Sequence, residues 1–168
     1  MIVFTANPED YAPWLVLAAE VEDLFGRMVD KPDFQQTLMK NILRQTALCV
    51  REDDGPPGST LLGGLFFSPK PPVYKISWMV VSQRCQRRGI GQQLVTAFLR
   101  QVPPPVELVV TTFSEGTPGG EAARRFYRKL GFEPAEIVYH DYRGRMEPYQ
   151  IFRRTMVEGD KAQPAQIA

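Results

Sequence analysis

Cysteine is scarce in this chain: Cys49 and Cys85 are the two copies among 168 residues. So small a number excludes a disulfide framework and fits a reducing cytoplasm. Histidine occurs once, at His140, and tryptophan twice. Neither sign of charge prevails, since 20 basic residues face 19 acidic ones for a net charge of +1. Dedicated nucleic-acid binders carry a basic excess, so this balance argues against that class while still allowing a local basic site. No apolar run approaches the ~20 residues of a membrane span. The opening MIVFTANPED lacks a basic n-region and an apolar h-region, so no secretory leader is expected. No metal is expected either. A hydrophobic content of 43% is ordinary, and the length predicts one domain with a proper core over residues 1–157. The polar residues 158–168 read as a disordered tail.

The pattern of apolar residues and breakers orders the elements. Ile2-Val3-Phe4 reads as a short strand. Asn7-Pro8-Glu9-Asp10 reads as a helix start, with an Asn cap, Pro at the first position and acids in the first turn. Pro13 suggests that this turn is separate from the helix proper. Trp14, Leu15, Leu17, Ala18, Val21, Leu24 and Phe25 keep a helical period, and Asp33 is the candidate cap of a second helix carrying Phe34, Leu38, Ile42 and Leu43. Ala47–Val50 and Leu61–Phe67 read as strands around a turn, and Ser68–Pro72 reads as a loop. Val73–Val81 is a further strand. Ile90, Leu94, Val95, Phe98 and Leu99 form one helix face, which Pro103-Pro104-Pro105 ends. Val106–Phe113 is a strand, Ser114–Gly120 a loop, and Glu121–Leu130 a helix closed by Gly131. Phe132–Tyr139 and Tyr149–Val157 read as a final antiparallel pair. The strand–helix–strand unit in the middle makes Val73–Val81 and Val106–Phe113 parallel if they are neighbours.

Gln86-Arg87-Arg88-Gly89-Ile90-Gly91 sits at the corner between the strand Val73–Val81 and the helix that follows. A helix beginning near Gly89 offers free N–H groups and a partial positive charge. Glycines at 89 and 91 let an anion approach the backbone, and two arginines add charge. The Lys-Ser/Thr ending of a P-loop is missing, and so is the third glycine of the dinucleotide fingerprint. On the hexapeptide alone, a phosphate cradle and a solvated turn stay equally open. The stretch Arg84–Arg88 lacks the interleaved aromatics of a nucleic-acid surface.

Gln86-x-x-Gly89-x-Gly91, after an apolar strand and before an amphipathic helix, resembles the acyl-CoA signature of the GCN5-related N-acetyltransferases. Ala123-Arg124-Arg125-Phe126-Tyr127-Arg128-Lys129-Leu130-Gly131-Phe132 is similar to the later Ala-x-x-x-Tyr-x-x-x-Gly-Phe block of the same family, at the family's separation of one helix and one strand. The resemblance covers Val73–Phe132. It implies a single acyl-CoA N-acyltransferase domain of α/β class, with a mixed, mainly antiparallel central sheet, two parallel splayed strands and flanking helices. It also implies acetyl-CoA as co-substrate, with pyrophosphate on the backbone N–H groups of Arg87, Arg88, Gly89, Ile90, Gly91 and Gln92. Gln86 opens that motif. The pantetheine arm would pair with the backbone of Met79, Val80 and Val81, and the Val81 N–H would hold the oxyanion. Small Ala123 would leave room for the co-substrate, and Tyr127 would protonate the departing thiolate. The acceptor would be a small-molecule or peptide amine, with no nucleic acid or membrane partner; a homodimer is left open.

The chain departs from the family at several positions. Gly120 stands where asparagine is frequent, and Cys85 where an aromatic is frequent. Lys75-Ile76-Ser77-Trp78 holds no carboxylate, so the general base is unassigned, with Glu107, Glu115, His140 and Asp141 as substitutes. These departures also keep a non-catalytic acyl-CoA sensor in view. Tyr139, Tyr142, Tyr149 and Phe152 sit in the last strands, where the family shapes its acceptor pocket, and most of the set reads as ordinary sheet packing.

Overall fold

The computed structural model describes residues 1–160; residues 161–168 of the expected tail lie outside them. In chain order the elements are β1 (Val3–Thr5), α1 (Tyr11–Ala19), α2 (Glu22–Phe25), α3 (Pro32–Leu43), β2 (Ala47–Arg51), β3 (Leu61–Lys70), β4 (Val73–Val81), α4 (Ile90–Leu99), β5 (Val106–Phe113), α5 (Glu121–Lys129), β6 (Glu133–Tyr142) and β7 (Arg145–Met156). The seven strands follow the order β1-β2-β3-β4-β5-β7-β6, mostly antiparallel, with β4 and β5 the parallel pair. Helices flank the sheet, as the expected α/β class requires. The chain divides into two compact units. One comprises Met1–Ser68 with Ser77–Gln101, the other Pro69–Ile76 with Val102 onward.

The first unit is built on the apolar periods of its helices. Trp14 and Leu17 of α1, Leu38 and Ile42 of α3, and Ala47 and Cys49 of β2 are buried together with Leu61, Phe66 and Val80. Trp78 stacks on Phe66 at 5.7 Å and lies 5.6 Å from Trp14. The buried face of α4 is the predicted set: Ile90, Leu94, Val95, Phe98 and Leu99. Gly63 of β3 lets that helix come close. A Cβ there would lie 2.7 Å from Ile90 Cγ2 and 3.2 Å from Leu94 Cδ1. Gly63→Ala should therefore overpack the α4 contact and cost about 1–3 kcal/mol, read as a melting temperature lower by several degrees.

Asp10 is buried and bound to Arg51 through bonds of 2.7 and 3.0 Å. Burial opposes its ionisation. Arg51 and the N–H groups of Asn7 and Gly58 outweigh that and hold the carboxyl below its ordinary 3.8. The stability this pair contributes is present above that value and lost as pH falls below it. Burial pushes the neighbouring Cys49 thiol up to about 12.

In the second unit β5 pairs along its whole length with β7, from Val106↔Met156 to Phe113↔Tyr149. β6 and β7 form a long hairpin closed at Arg143-Gly144, both with positive φ. Tyr127 of α5 lies edge-on to Phe132 at 5.7 Å and 6.4 Å from Phe152, which is fully buried.

The turn at Pro8–Asp10 is a 3-10 turn separate from α1, as expected from Pro13. Several other boundaries differ from the sequence expectation. The helix expected to reach Phe25 breaks at Glu20–Val21, where Gln83 Nε2 takes the Glu20 carbonyl and Leu24 N–H turns to Val21. Asp33 is no cap: Pro32, with its fixed φ, takes the first helical position and Lys31 precedes it. Ser68–Lys70 is strand and not loop. β2 begins at Ala47, opposite Phe66, so Pro69 lies beyond the stretch paired with β2, where that neighbour asks for no N–H. The aromatic set of the last strands does not pack uniformly: Tyr139 is 61% exposed while Phe152 is core.

Candidate functional site

The corner in the first unit starts where β4 stops. The parallel ladder joins Val73–Ile76 to Glu107–Val110, and Met79, Val80 and Val81 lie beyond that paired stretch. The Val80 side chain is buried, and those of Met79 and Val81 are half-buried. Ser82 then ends the strand, tied by its N–H to the Leu62 carbonyl at 2.9 Å. A 3-10 turn over Gln83–Cys85 leads to Gln86, Arg87, Arg88 and Gly89, all exposed.

Two left-handed residues shape the corner. Arg87 has φ 64° and Gly89, the residue before α4, has φ 79°. Nothing lies within 4 Å of where a Gly89 Cβ would project. The first bond that this helix start makes is Gln93 N–H to the Gly89 carbonyl, at 3.0 Å. The N–H groups of Ile90, Gly91 and Gln92 thus precede the helical ladder, and no side chain caps them. Open space beside Gly89, unladdered donors and the positive helix end are the features an anion needs. The residues therefore fit a pyrophosphate. Arg87 and Arg88 are exposed, and Arg88 Nη1 donates to the buried Cys85 sulfur at 3.6 Å.

A second tie holds this corner, and sequence inspection does not reveal it. Glu20, just past α1, accepts the Ser82 hydroxyl at 2.9 and 3.1 Å and the Gln83 N–H at 3.0 Å. The carboxylate thereby anchors the residue that follows Val81. Nothing in the local pattern singles out Glu20 among the acids of that segment, because its partners are 62 and 63 residues away. Glu20→Ala should strand a buried hydroxyl and an N–H, costing about 1–3 kcal/mol by thermal melting. Glu20→Gln, which keeps an acceptor oxygen, should lose less.

In the second unit, Ala123 and Tyr127 share one face of α5, four residues apart. Tyr127 is 6% exposed, and burial pushes its phenol above the ordinary value of 10.0. Among the described residues its hydroxyl makes no hydrogen bond, yet it is not sealed from solvent. Such a phenol stays protonated and has its proton available. Gly120 has no room for the asparagine that the resemblance leads one to expect, because a Cβ there would lie 2.4 Å from Phe113 Cβ.

The substitute bases are spread out. Glu107 is ion-paired with Arg153, Asp141 accepts the Gly144 N–H at 2.8 Å in the hairpin turn, and Glu115 is an exposed loop residue. His140 is exposed and lies edge-on to Tyr149 at 5.5 Å. Among the described residues no cluster of His, Cys, Asp or Glu is arranged to hold a metal, and no helix is long and apolar enough to cross a membrane.

A family model described as an acetyltransferase (GNAT) domain matches residues 44–134. No curated protein matches the chain. Among solved structures, the ribosomal-protein-alanine N-acetyltransferase of Brucella melitensis is similar at a TM-score of 0.70 and 16% identity, over 93% of this chain and all of that one. The ribosomal-protein-S18-alanine N-acetyltransferase of Escherichia coli reaches 0.70 at 14% identity, over 95% and 96% of the two chains. NAA60 of Arabidopsis thaliana, in complex with acetyl-CoA, reaches 0.66 at 15% identity, over 92% and 99%. At these identities the likeness concerns the fold.

Proposed function

The chain belongs to the acetyltransferase (GNAT) family, and from that membership we propose that it moves an acetyl group from acetyl-CoA to a primary amine by direct attack in a ternary complex. The observation that carries the reading is the corner after β4: unladdered N–H groups of Ile90, Gly91 and Gln92 beside the open space at Gly89. Arg87 and Arg88 assist with charge, and Gln86 opens the motif. The backbone of Met79, Val80 and Val81 receives the pantetheine arm, and small Ala123 leaves room for the co-substrate.

In the reaction so read, the amine nitrogen bonds to the thioester carbon. The Val81 N–H steadies the oxygen that gains charge, the carbon–sulfur bond breaks, and Tyr127 gives its proton to sulfur. The amine proton leaves to a base that no residue yet claims. The acceptor is a small molecule or a peptide. We assign residues 1–157 to one acyl-CoA N-acyltransferase domain and place it in the cytoplasm, on the scarcity of cysteine.

The absence of a carboxylate from Lys75–Trp78 favours one second reading, a sensor that binds acyl-CoA without transfer. Thiol release from acetyl-CoA against a panel of amines separates the two. Release above the amine-free rate is expected. Silence across the panel, with CoA binding measured by calorimetry, selects the sensor, and absence of CoA heat removes both.

A further inference from the structure

Two arginines of this chain are equally buried, each 4% exposed, and they are treated differently. Arg51 meets the carboxylate of Asp10. Arg124 of α5 meets only neutral groups. Its Nη1 donates to the Phe113 carbonyl at 3.0 Å and to Gln150 Oε1 at 2.7 Å. The Gln150 amide is itself fixed, since its Nε2 donates to the Ala135 carbonyl at 2.9 Å. The guanidinium carbon lies 5.3 Å from the centre of the Phe152 ring. Among the described residues no carboxylate pairs with Arg124, and its Nε and Nη2 have no hydrogen-bond partner, although neither is sealed from solvent. A buried cation without an anion is costly, and natural ones are paired.

The unspent donors are specific. With both Nη1 protons in use, Nε and Nη2 remain, and together they form the side-on edge of the guanidinium. That edge matches the two oxygens of one carboxylate. Arg124 and Tyr127 are three apart on one helix, hence neighbours on its surface about 4.5 Å apart along the axis. Both flank the same ring, that of Phe152.

We propose that Arg124 binds a carboxylate of the amine acceptor, so that the acceptor class is an amino acid or a similar amine carrying an acid a few bonds from the nitrogen. This rests on the acetyl-transfer reading and on Tyr127 standing at the reacting centre. Arg124 is then a specificity-determining residue. A carboxylate seated on its free edge is held by the residue one helical turn from the one that carries the phenol.

The test pairs each acid with its carboxamide. Alanine, β-alanine, phenylalanine and glutamate are compared with their amides, and with spermidine as an amine lacking an acid, by thiol release from acetyl-CoA. The wild-type chain should favour an acid over its amide by about 10- to 100-fold in kcat/KM, the size of a lost hydrogen-bonded charge contact. Arg124→Gln and Arg124→Lys should bring the two within about threefold while CoA affinity by calorimetry stays unchanged. A purely structural arginine would not move that ratio. Equal use of acid and amide by the wild type, preference for spermidine, or an acid preference that survives in both variants overturns the proposal. Should neither variant fold, the wild-type ratio decides alone. Should no amine release thiol, the transfer reading fails, and calorimetry of the same pairs on CoA-saturated protein decides the anion site. Heat from acids and not from amides sustains it, and equal or absent heats overturn it.

Discussion

Tyr127→Phe is expected to lower kcat by about 10²- to 10⁴-fold, the range for losing a positioned general acid, with acetyl-CoA affinity nearly unchanged. The substitution removes one oxygen and keeps the ring that meets Phe126, Phe132 and Phe152. That oxygen holds no hydrogen bond among the described residues, so its loss strands no partner. Melting should therefore change little, which separates a chemical defect from a folding one. The pH profile supplies a second measurement. Burial raises the phenol's pKa, so the acid form persists as pH climbs past the ordinary 10.0. The wild-type rate should show no fall from loss of this proton up to that pH. Unchanged turnover in Tyr127→Phe would take the residue out of the mechanism.

Gly89→Val is expected to weaken CoA binding by about 100-fold or more. The left-handed backbone at φ 79° costs a side-chain-bearing residue roughly 1–2 kcal/mol, and a β-branched residue tolerates it worst. Relaxing that strain turns away the N–H groups of Ile90, Gly91 and Gln92, each charge-assisted contact contributing about 1.5–3 kcal/mol. The valine would also project into the open space at Gly89. Calorimetry with CoA reads the effect directly. Arg87→Ala makes the contrast, with a loss of only a few-fold, because an exposed arginine acts through solvent. If the arginine variant lost as much as the glycine variant, the side chains and not the backbone would be the binding element.

The strand-to-helix corner was legible because its signals are local. A glycine where φ must be positive, an apolar face of period 3.6 and a proline stop each act within a few residues of themselves. Where local signals misled, a distant partner or a competing local rule was responsible. The helix expected to run through Phe25 stops because Gln83 takes a carbonyl from it. The cap expected at Asp33 yields to Pro32, a competing local rule. The last strands, expected over Phe132–Tyr139 and Tyr149–Val157, run on to Tyr142 and Arg145, and of their aromatics Phe152 is core while Tyr139 is exposed.

By itself the amino-acid order determined the element sequence, the glycine corner before α4 and the Ala123–Tyr127 face, since each depends on backbone preference and periodicity over a few residues. Only the tertiary structure decided that Glu20 anchors Ser82, that Phe113 denies Gly120 a side chain, and that Arg124 is buried with its side-on donors unspent. Those outcomes depend on hydrogen bonds and on van der Waals room between residues far apart in the chain, which no local pattern encodes.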